Sequence, residues 1–201
     1  MAEIRALFWD IGGVLLTNAW DHEERDQAIA RFQLEKTELE ARHRELFVPF
    51  EEGKFSLDEY LERAVFYKPR SFTVEQFKEF MRSLSKPNHE ALEIARGLSA
   101  KYPMATINNE SREFNEYRIR TFGLRNCFHL FVSSCYVGVR KPGERIYRLA
   151  LDLTQRSAEE CCFIDDRPVN IEGAEKVGMQ TVLMQNADQL RNDLKTLGVA
   201  L

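Results

Sequence analysis

Leu7-Phe8-Trp9-Asp10-Ile11-Gly12-Gly13-Val14-Leu15-Leu16 is an apolar run broken by one aspartate and two glycines. The bulky side chains over residues 4–9 read as a buried strand, and the glycines behind Asp10 read as a tight turn. An aspartate before Gly-Gly can be a plain turn former. It can also be a reactive carboxylate at a strand end, because glycines leave backbone N–H groups free to approach an anion. Three later segments favour the second reading. Asn108-Asn109 ends one apolar run, Asp165-Asp166 ends another, and Arg140-Lys141-Pro142 lies between them.

Working outward, the pattern divides the chain. Residues 18–86 are charged, with apolar positions at helical spacing: Leu57, Tyr60, Leu61, Ala64 and Val65, then Val74, Phe77, Phe80, Met81 and Leu84. Ser56-x-x-Glu59 and Thr73-x-x-Gln76 are capping-box signals at two helix starts. This segment predicts about four helices and no strand. From residue 88 onward helices and short apolar runs alternate: helix 88–100, strand 102–108, helix 111–121, strand 128–133, helix 143–153, strand 161–165, helix 168–177, strand 180–184 and helix 187–197. Such alternation implies an α/β fold with a parallel sheet and right-handed crossovers. The expected division is a core domain of residues 1–17 and 87–201, with an all-helical cap of residues 18–86 inserted after the first strand. Ligands bind such sheets at the carboxyl ends of strands, where Asp10, Asn108-Asn109 and Asp165-Asp166 fall.

The 201 residues are 44% hydrophobic and 30% charged, with a net charge of −4 and both signs interspersed. That gives no electrostatic case for nucleic acid or an anionic membrane. No stretch reads as a signal peptide or membrane span. Cys127, Cys135, Cys161 and Cys162 show no CxxC spacing and read as reduced thiols in strand interiors, as expected of a cytoplasmic protein.

Two carboxylates at a buried strand end repel unless a cation lies between them. Asp165-Asp166 can simply cap the helix that starts at Pro168, or it can hold Mg²⁺, which takes one or two carboxylates plus water and phosphate oxygens. Lys141 supplies a fixed positive charge, and Asn109, with Asn108, supplies amide donors. A nucleophilic carboxylate, an amide pair, a lysine and an acidic pair at strand ends suit phosphoryl transfer.

In that order these residues resemble the haloacid dehalogenase-like hydrolase superfamily. Asp10 matches its first motif, in a D-x-G-G-V variant of the usual D-x-D-G-T/V. Asn108-Asn109 is similar to the second, where Ser or Thr followed by Asn is usual. Gly138-Val139-Arg140-Lys141-Pro142 with Ile146-Tyr147 resembles the third, and Phe163-Ile164-Asp165-Asp166-Arg167-Pro168 the fourth. The resemblance spans essentially the whole chain. It implies a Rossmann-like, doubly wound core with a small C1-type helical cap. It further implies a Mg²⁺-dependent phosphatase that hydrolyses a small phosphomonoester, such as a sugar phosphate, through an aspartyl-phosphate on Asp10. Mg²⁺ would be held by Asp10, the carbonyl of Gly12 and Asp166, with Asp165 in support. Phosphate would meet Gly12, Gly13, Asn108, Asn109 and Lys141.

One member of the pattern is missing. Phosphatases of this family usually carry a second aspartate, which protonates the leaving oxygen and then activates water, where this chain has Gly12. A general acid-base group contributes roughly 10²–10⁴ in rate. Substrates with an easy leaving group, such as sugar 1-phosphates or acyl phosphates, would suffer least. Glu110 and His22 are candidate substitutes. Two other readings fit the loss: a metal-independent 2-haloacid dehalogenase, and a catalytically impaired module that binds a phosphorylated ligand. Trp20, Asp21 and His22 either line the cleft or start a helix, with Asn18 or Asp21 as its N-cap. Arg70 either reaches an anionic substrate or stays at the surface.

Overall fold

In the computed structural model, which describes residues 2–201, Ala6–Trp9 form strand β1, buried along its whole length. Four more strands follow: β2 (Met104–Asn108), β3 (Leu130–Ser133), β4 (Cys161–Asp165) and β5 (Gln180–Leu183). All pair in parallel, in the order β3-β2-β1-β4-β5. The chain therefore builds outward from β1 in one direction and then crosses to build outward in the other. A doubly wound sheet of this kind opens a crevice where the winding reverses, beyond the carboxyl ends of its central strands.

Alternation along β1 sends its side chains into two cores. Leu7 and Trp9 pack with α5 (His89–Ser99) and α10 (Ala187–Thr196) through Ala95, Leu98, Leu190 and Leu194. Ala6 and Phe8 pack on the opposite face with α8 (Glu144–Thr154) and α9 (Pro168–Lys176) through Ile146, Tyr147, Ile171 and Ala174. Helices on both faces explain why β1, and β4 up to its terminal Asp165, are apolar rather than alternating with polar residues.

Between β1 and α5 lie four helices: α1 (His22–Phe32), α2 (Lys36–Glu51), α3 (Leu57–Ala64) and α4 (Val74–Ser83). Ser56 and Thr73 form the expected capping boxes with Glu59 and Gln76, and Asp21 forms a third with Glu24. Each cap is worth about 1 kcal/mol. These helices share a core of their own, in which Phe77 is fully buried and meets Phe32 at 4.9 Å between ring centroids. Phe114, from α6 (Arg112–Thr121), also enters that core.

Two local expectations are corrected. A short helix α7 (Ser134–Val137), ending on Gly138 in the left-handed region, intervenes between β3 and the Lys141 loop. One turn is too short for apolar periodicity to reveal it. Cys161 and Cys162 do lie in β4, but Cys135 lies in α7 and Cys127 follows a 3₁₀ turn. All four thiols are buried and unpaired, and burial pushes those of Cys135 and Cys161 up to about 12. They carry no thiolate character for nucleophilic work. Among the described residues no helix is long and apolar enough to cross a membrane.

The Lys141 loop rests against α9 through a glycine. A Cβ on Gly173 would stand 2.5 Å from the carbonyl oxygen of Pro142. The neighbour is backbone and has no rotamer by which to move aside. Gly173→Ala is therefore expected to lower stability by about 1–3 kcal/mol, seen as a fall in the urea midpoint. Phe77→Ala opens a cavity among rings and is expected to cost about 3–5 kcal/mol. An unchanged midpoint in either variant would contradict the packing described.

Candidate active site

Asp10 and Asp165 emerge from the carboxyl ends of the two adjacent central strands. The Lys141 side chain, only 1% exposed, places its Nζ 2.8 Å from Asp10 Oδ1 and 2.6 Å from Asp165 Oδ2. Burial alone would lower the lysine's pKa, but Asp10 and Asp165 outweigh it and hold it above the ordinary value. The loop that delivers Lys141 is fixed by one amide group. Asn109 Nδ2 donates to the carbonyl of Lys141 at 3.0 Å, and Asn109 Oδ1 accepts from its N–H at 2.9 Å.

The three carboxylates are not equivalent. Asp165 is fully engaged: besides Lys141 it accepts from Asn170 Nδ2 at 3.0 Å and from the Arg167 N–H at 2.8 Å. Asp10 is engaged at one oxygen, since the Ile11 N–H donates to Oδ1 at 2.8 Å, the same atom that Lys141 meets. Oδ2 has no protein partner among the described residues. Asp166 keeps a buried Oδ1 without any hydrogen bond. Burial pushes the Asp10 carboxyl up to about 7, with Lys141 opposing and Asp165 adding to the rise. Burial and then Asp165 also raise Asp166.

One oxygen from each of Asp10, Asp165 and Asp166 lies within 4.8 Å of the others. One lysine offsets three carboxylates, two carboxylate oxygens (Asp10 Oδ2 and the buried Asp166 Oδ1) have no partner among the described residues, and every donor is a hard oxygen. That set fits a hard divalent cation such as Mg²⁺.

Gly13 makes this crowding possible. Its φ is +77°, and a Cβ there would stand 2.1 Å from Asp166 Oδ2. Its N–H, expected to face an anion, instead donates to the Leu16 carbonyl at 2.8 Å within the turn. Asn108 also departs from expectation. Its buried side chain turns inward, donating to Asn115 Oδ1 at 3.0 Å and accepting from Ser133 Oγ at 2.9 Å. It does not line the cavity above Asp10, whereas Asn109 does.

That cavity holds about 450 Å³ and is walled by residues of α1 and α2 over a floor of Asp10, Gly12 and Lys141. Its guanidinium groups are paired with carboxylates: Arg25 with Glu40 at 2.8 Å, Arg118 with Glu110 at 3.1 Å, Arg140 with Glu51 at 2.9 Å, and Arg167 with Asp21. Arg44 at the rim is the exception. Asp21 and Trp20 satisfy both sequence readings at once, because Asp21 caps α1 and both residues also line the cavity. His22 is 71% exposed at the start of α1 and outside the lining. Arg70 donates to the Val65 carbonyl and is likewise outside it.

Arg118 went unnoticed in the sequence, where it is one arginine among several on α6. It matters because of Gly12. A Cβ on Gly12 would stand 3.3 Å from Asn18 Oδ1 and 3.7 Å from Arg118 Nη1. The volume that a side chain at position 12 would enter thus holds a buried guanidinium, anchored by Glu110 and the Thr17 carbonyl.

Comparison with known proteins agrees with this architecture. The chain is 31% identical over 171 residues to the chloroplastic flavin mononucleotide hydrolase 1 of Arabidopsis thaliana, covering 80% of this chain. It is 23% identical to the D-ribitol-5-phosphate phosphatase of Bacteroides thetaiotaomicron, over 96% of this chain and 98% of that protein. The chain spans 65% of the length of the plant relative and 40% of a Sus scrofa bifunctional epoxide hydrolase 2 that it also matches. A crystal structure of a HAD family enzyme from B. thetaiotaomicron shares the fold, with a TM-score of 0.81 at 20% identity over 92% of this chain and 95% of that one. A structure of the same enzyme with magnesium and inorganic phosphate gives 0.75 at 20% identity, over 90% and 94% of the two chains. The family model for haloacid dehalogenase-like hydrolases matches residues 4–178. That span takes in β1, the helical insertion, the Lys141 loop and the acidic pair of β4, and the chain belongs to that family.

Proposed function

We propose that the protein is a Mg²⁺-dependent phosphatase that hydrolyses a small phosphomonoester through an aspartyl-phosphate on Asp10. The observation that carries this reading is the asymmetry of the Asp10 carboxylate. Oδ1 is pinned by Lys141 and the Ile11 N–H, while Oδ2 is left without a protein partner on the cavity floor. The relatives that act on flavin mononucleotide and on D-ribitol 5-phosphate, and the magnesium and phosphate bound by the Bacteroides enzyme, support it.

Asp10, the Gly12 carbonyl and Asp166 would hold Mg²⁺, with Asp165 behind them fixing Lys141. Bound there, the ion would neutralise phosphate oxygens and favour attack by an anionic carboxylate. Asp10 Oδ2 attacks phosphorus, the bond to the leaving oxygen breaks, and the phosphoryl group passes to Asp10. Water then cleaves the acyl phosphate and restores the carboxylate, splitting one hard displacement into two easier ones. Lys141 orients Asp10 throughout and offsets the charge that builds on the phosphoryl oxygens.

Gly12 can neither give nor take a proton, and His22 lies away from the cavity. Glu110 does line the cavity, and burial raises its pKa despite Arg118. Its carboxylate is nonetheless occupied by Arg118 and the Ser111 N–H. In this reading Arg118 takes over part of the missing role as a fixed positive charge beside the leaving oxygen. A guanidinium stabilises an oxyanion but does not protonate it at neutral pH. The enzyme then favours leaving groups that depart as anions. The dehalogenase reading also uses Asp10, but it leaves the unpartnered oxygen of Asp166 without a purpose.

Hydrolysis of p-nitrophenyl phosphate tests the nucleophile. Release is expected to need Mg²⁺ and to fall at least about 10³-fold in Asp10→Asn. Release that survives in Asp10→Asn would overturn the reading. A single burst followed by a stall would place the defect in water activation. Across a series of substituted phenyl and alkyl phosphates, kcat/KM is expected to fall steeply as the leaving-group pKa rises. A flat dependence would mean that a proton donor operates despite Gly12.

A further inference from the structure

The cavity wall opposite Asp10 contains a hydrogen-bond chain with one fully satisfied arrangement of protons. Trp20 Nε1 lies 2.8 Å from Tyr60 Oη, and Tyr60 Oη lies 2.8 Å from His43 Nδ1. An indole N–H only donates, so Tyr60 Oη accepts from Trp20. Tyr60 is fully buried, and the acceptor within reach of its own hydrogen is His43 Nδ1. The opposite tautomer, with the proton on Nδ1, would make Tyr60 accept twice and leave its hydroxyl hydrogen buried without an acceptor. Such a lost bond costs about 1–3 kcal/mol.

A cationic ring is also disfavoured. Burial and then Arg25 lower the His43 pKa to about 4, against the opposing pull of Glu40 and Asp21. The neutral ring therefore carries its hydrogen on Nε2, which has no partner among the described residues. The imidazole lines the cavity and stacks on Phe47, with ring centroids 5.5 Å apart and planes 28° apart.

We propose that His43 is a specificity-determining residue whose Nε2–H, fixed by Tyr60 and Trp20, donates to a hydroxyl or carbonyl oxygen on the leaving-group part of the substrate. This rests on the phosphatase reading above. The neighbouring wall explains why an uncharged donor is useful there. Arg25 and Arg140 already bind Glu40 and Glu51, so of the wall's guanidinium groups only Arg44, exposed at the rim, has no carboxylate partner among the described residues. A locked imidazole N–H instead discriminates between a leaving group that offers an oxygen and one that does not. Sites built around such a bond reject analogues that lack the acceptor, because the donor is then desolvated for nothing.

Two measurements on the full chain test this. Long-range ¹H–¹⁵N spectra at pH 7 are expected to show His43 as a neutral ring protonated at Nε2, with the Nδ1–H form appearing in Tyr60→Phe. An Nδ1–H or cationic ring in the unaltered protein overturns the proposal, whatever the activity. The second measurement compares phenyl phosphate with the best hydroxylated substrate among glycerol 3-phosphate, glucose 1-phosphate and D-ribitol 5-phosphate. His43→Phe, which keeps a ring against Phe47, is expected to raise KM for the hydroxylated ester by about tenfold, the loss of one good hydrogen bond. Phenyl phosphate, which offers no acceptor on its ring, is expected to lose no kcat/KM in that variant and to gain as the unmet Nε2–H is removed. His43→Gln, which retains an N–H donor, is expected to recover most of the loss. Equal losses on both substrates, or hydrolysis of phenyl phosphate with no hydroxylated ester accepted, would overturn the role of His43 while leaving the phosphatase reading intact. Hydrolysis of neither would remove the phosphatase reading and this proposal with it.

Discussion

A lysine ammonium held between two carboxylates, in a place that water barely reaches, is the constraint on which the rest of this structure depends. Burying a charge costs several kcal/mol, and the cost is offset only by close, well-aligned partners. Lys141 meets that condition because its Nζ stands 2.8 Å from one aspartate and 2.6 Å from the other. The partners come from β1 and β4, so two strands must end in register and a distant loop must return to the same point. Asn109 clamps the loop backbone, and Gly173 lets the loop settle on α9. Gly13 gives Asp166 the room to approach. Removing Lys141 would leave buried carboxylates without their counterion, typically a loss of about 3–5 kcal/mol. The same arrangement that is costly to fold also fixes Asp10 Oδ1 and leaves Oδ2 without a partner among the described residues.

Much of this was legible along the chain. Strands covered on both faces are short, apolar and bounded by polar residues, and β1, β2 and β4 announce themselves that way. The capping boxes at Ser56 and Thr73 mark helix starts because their reciprocal bonds need only local sequence. The cluster of Asp10, Lys141 and Asp165 could be anticipated because parallel strands deliver their ends to one edge. What stayed hidden are facts of orientation and distance. Asn108 and Asn109 look alike in sequence, yet alternation along β2 and beyond turns one inward to Asn115 and the other toward Lys141. Tyr60 lies 17 positions from His43 and 40 from Trp20, and no local pattern joins them. Arg167 and Asp21 are 146 positions apart, and their pairing exists only once the helices have docked on the sheet.

The pairing of arginines shapes what the cavity can recognise. Arg140 with Glu51 and Arg167 with Asp21 each join a residue from a loop beyond the sheet to one from the inserted helices. They tie the two parts together across the cavity while cancelling charge within it. The lysine on the floor keeps its positive charge close to Asp10, where a phosphoryl group would arrive. One lysine against three carboxylates leaves the floor net negative, so only a divalent cation bound among them would bring positive potential to the reacting end of a substrate, while pairing mutes it along most of the wall that meets the remainder. A field divided in this way would hold an anionic head strongly and leave the tail to be sorted by hydrogen bonds and ring faces.

Gly12 belongs to the same economy of space. An aspartate there would extend toward Arg118, whose guanidinium is already committed to Glu110 and the Thr17 carbonyl. The new carboxylate would compete with Glu110 for that cation. Ion pairing would then favour its charged form, the wrong one for donating a proton. A glycine at this position and a buried arginine beside it are thus mutually consistent, whereas an acid beside the same arginine would be poorly tuned. The departure from the family pattern is therefore more than the loss of one side chain. It comes with a buried, fixed positive charge on the side where a residue-12 side chain would point.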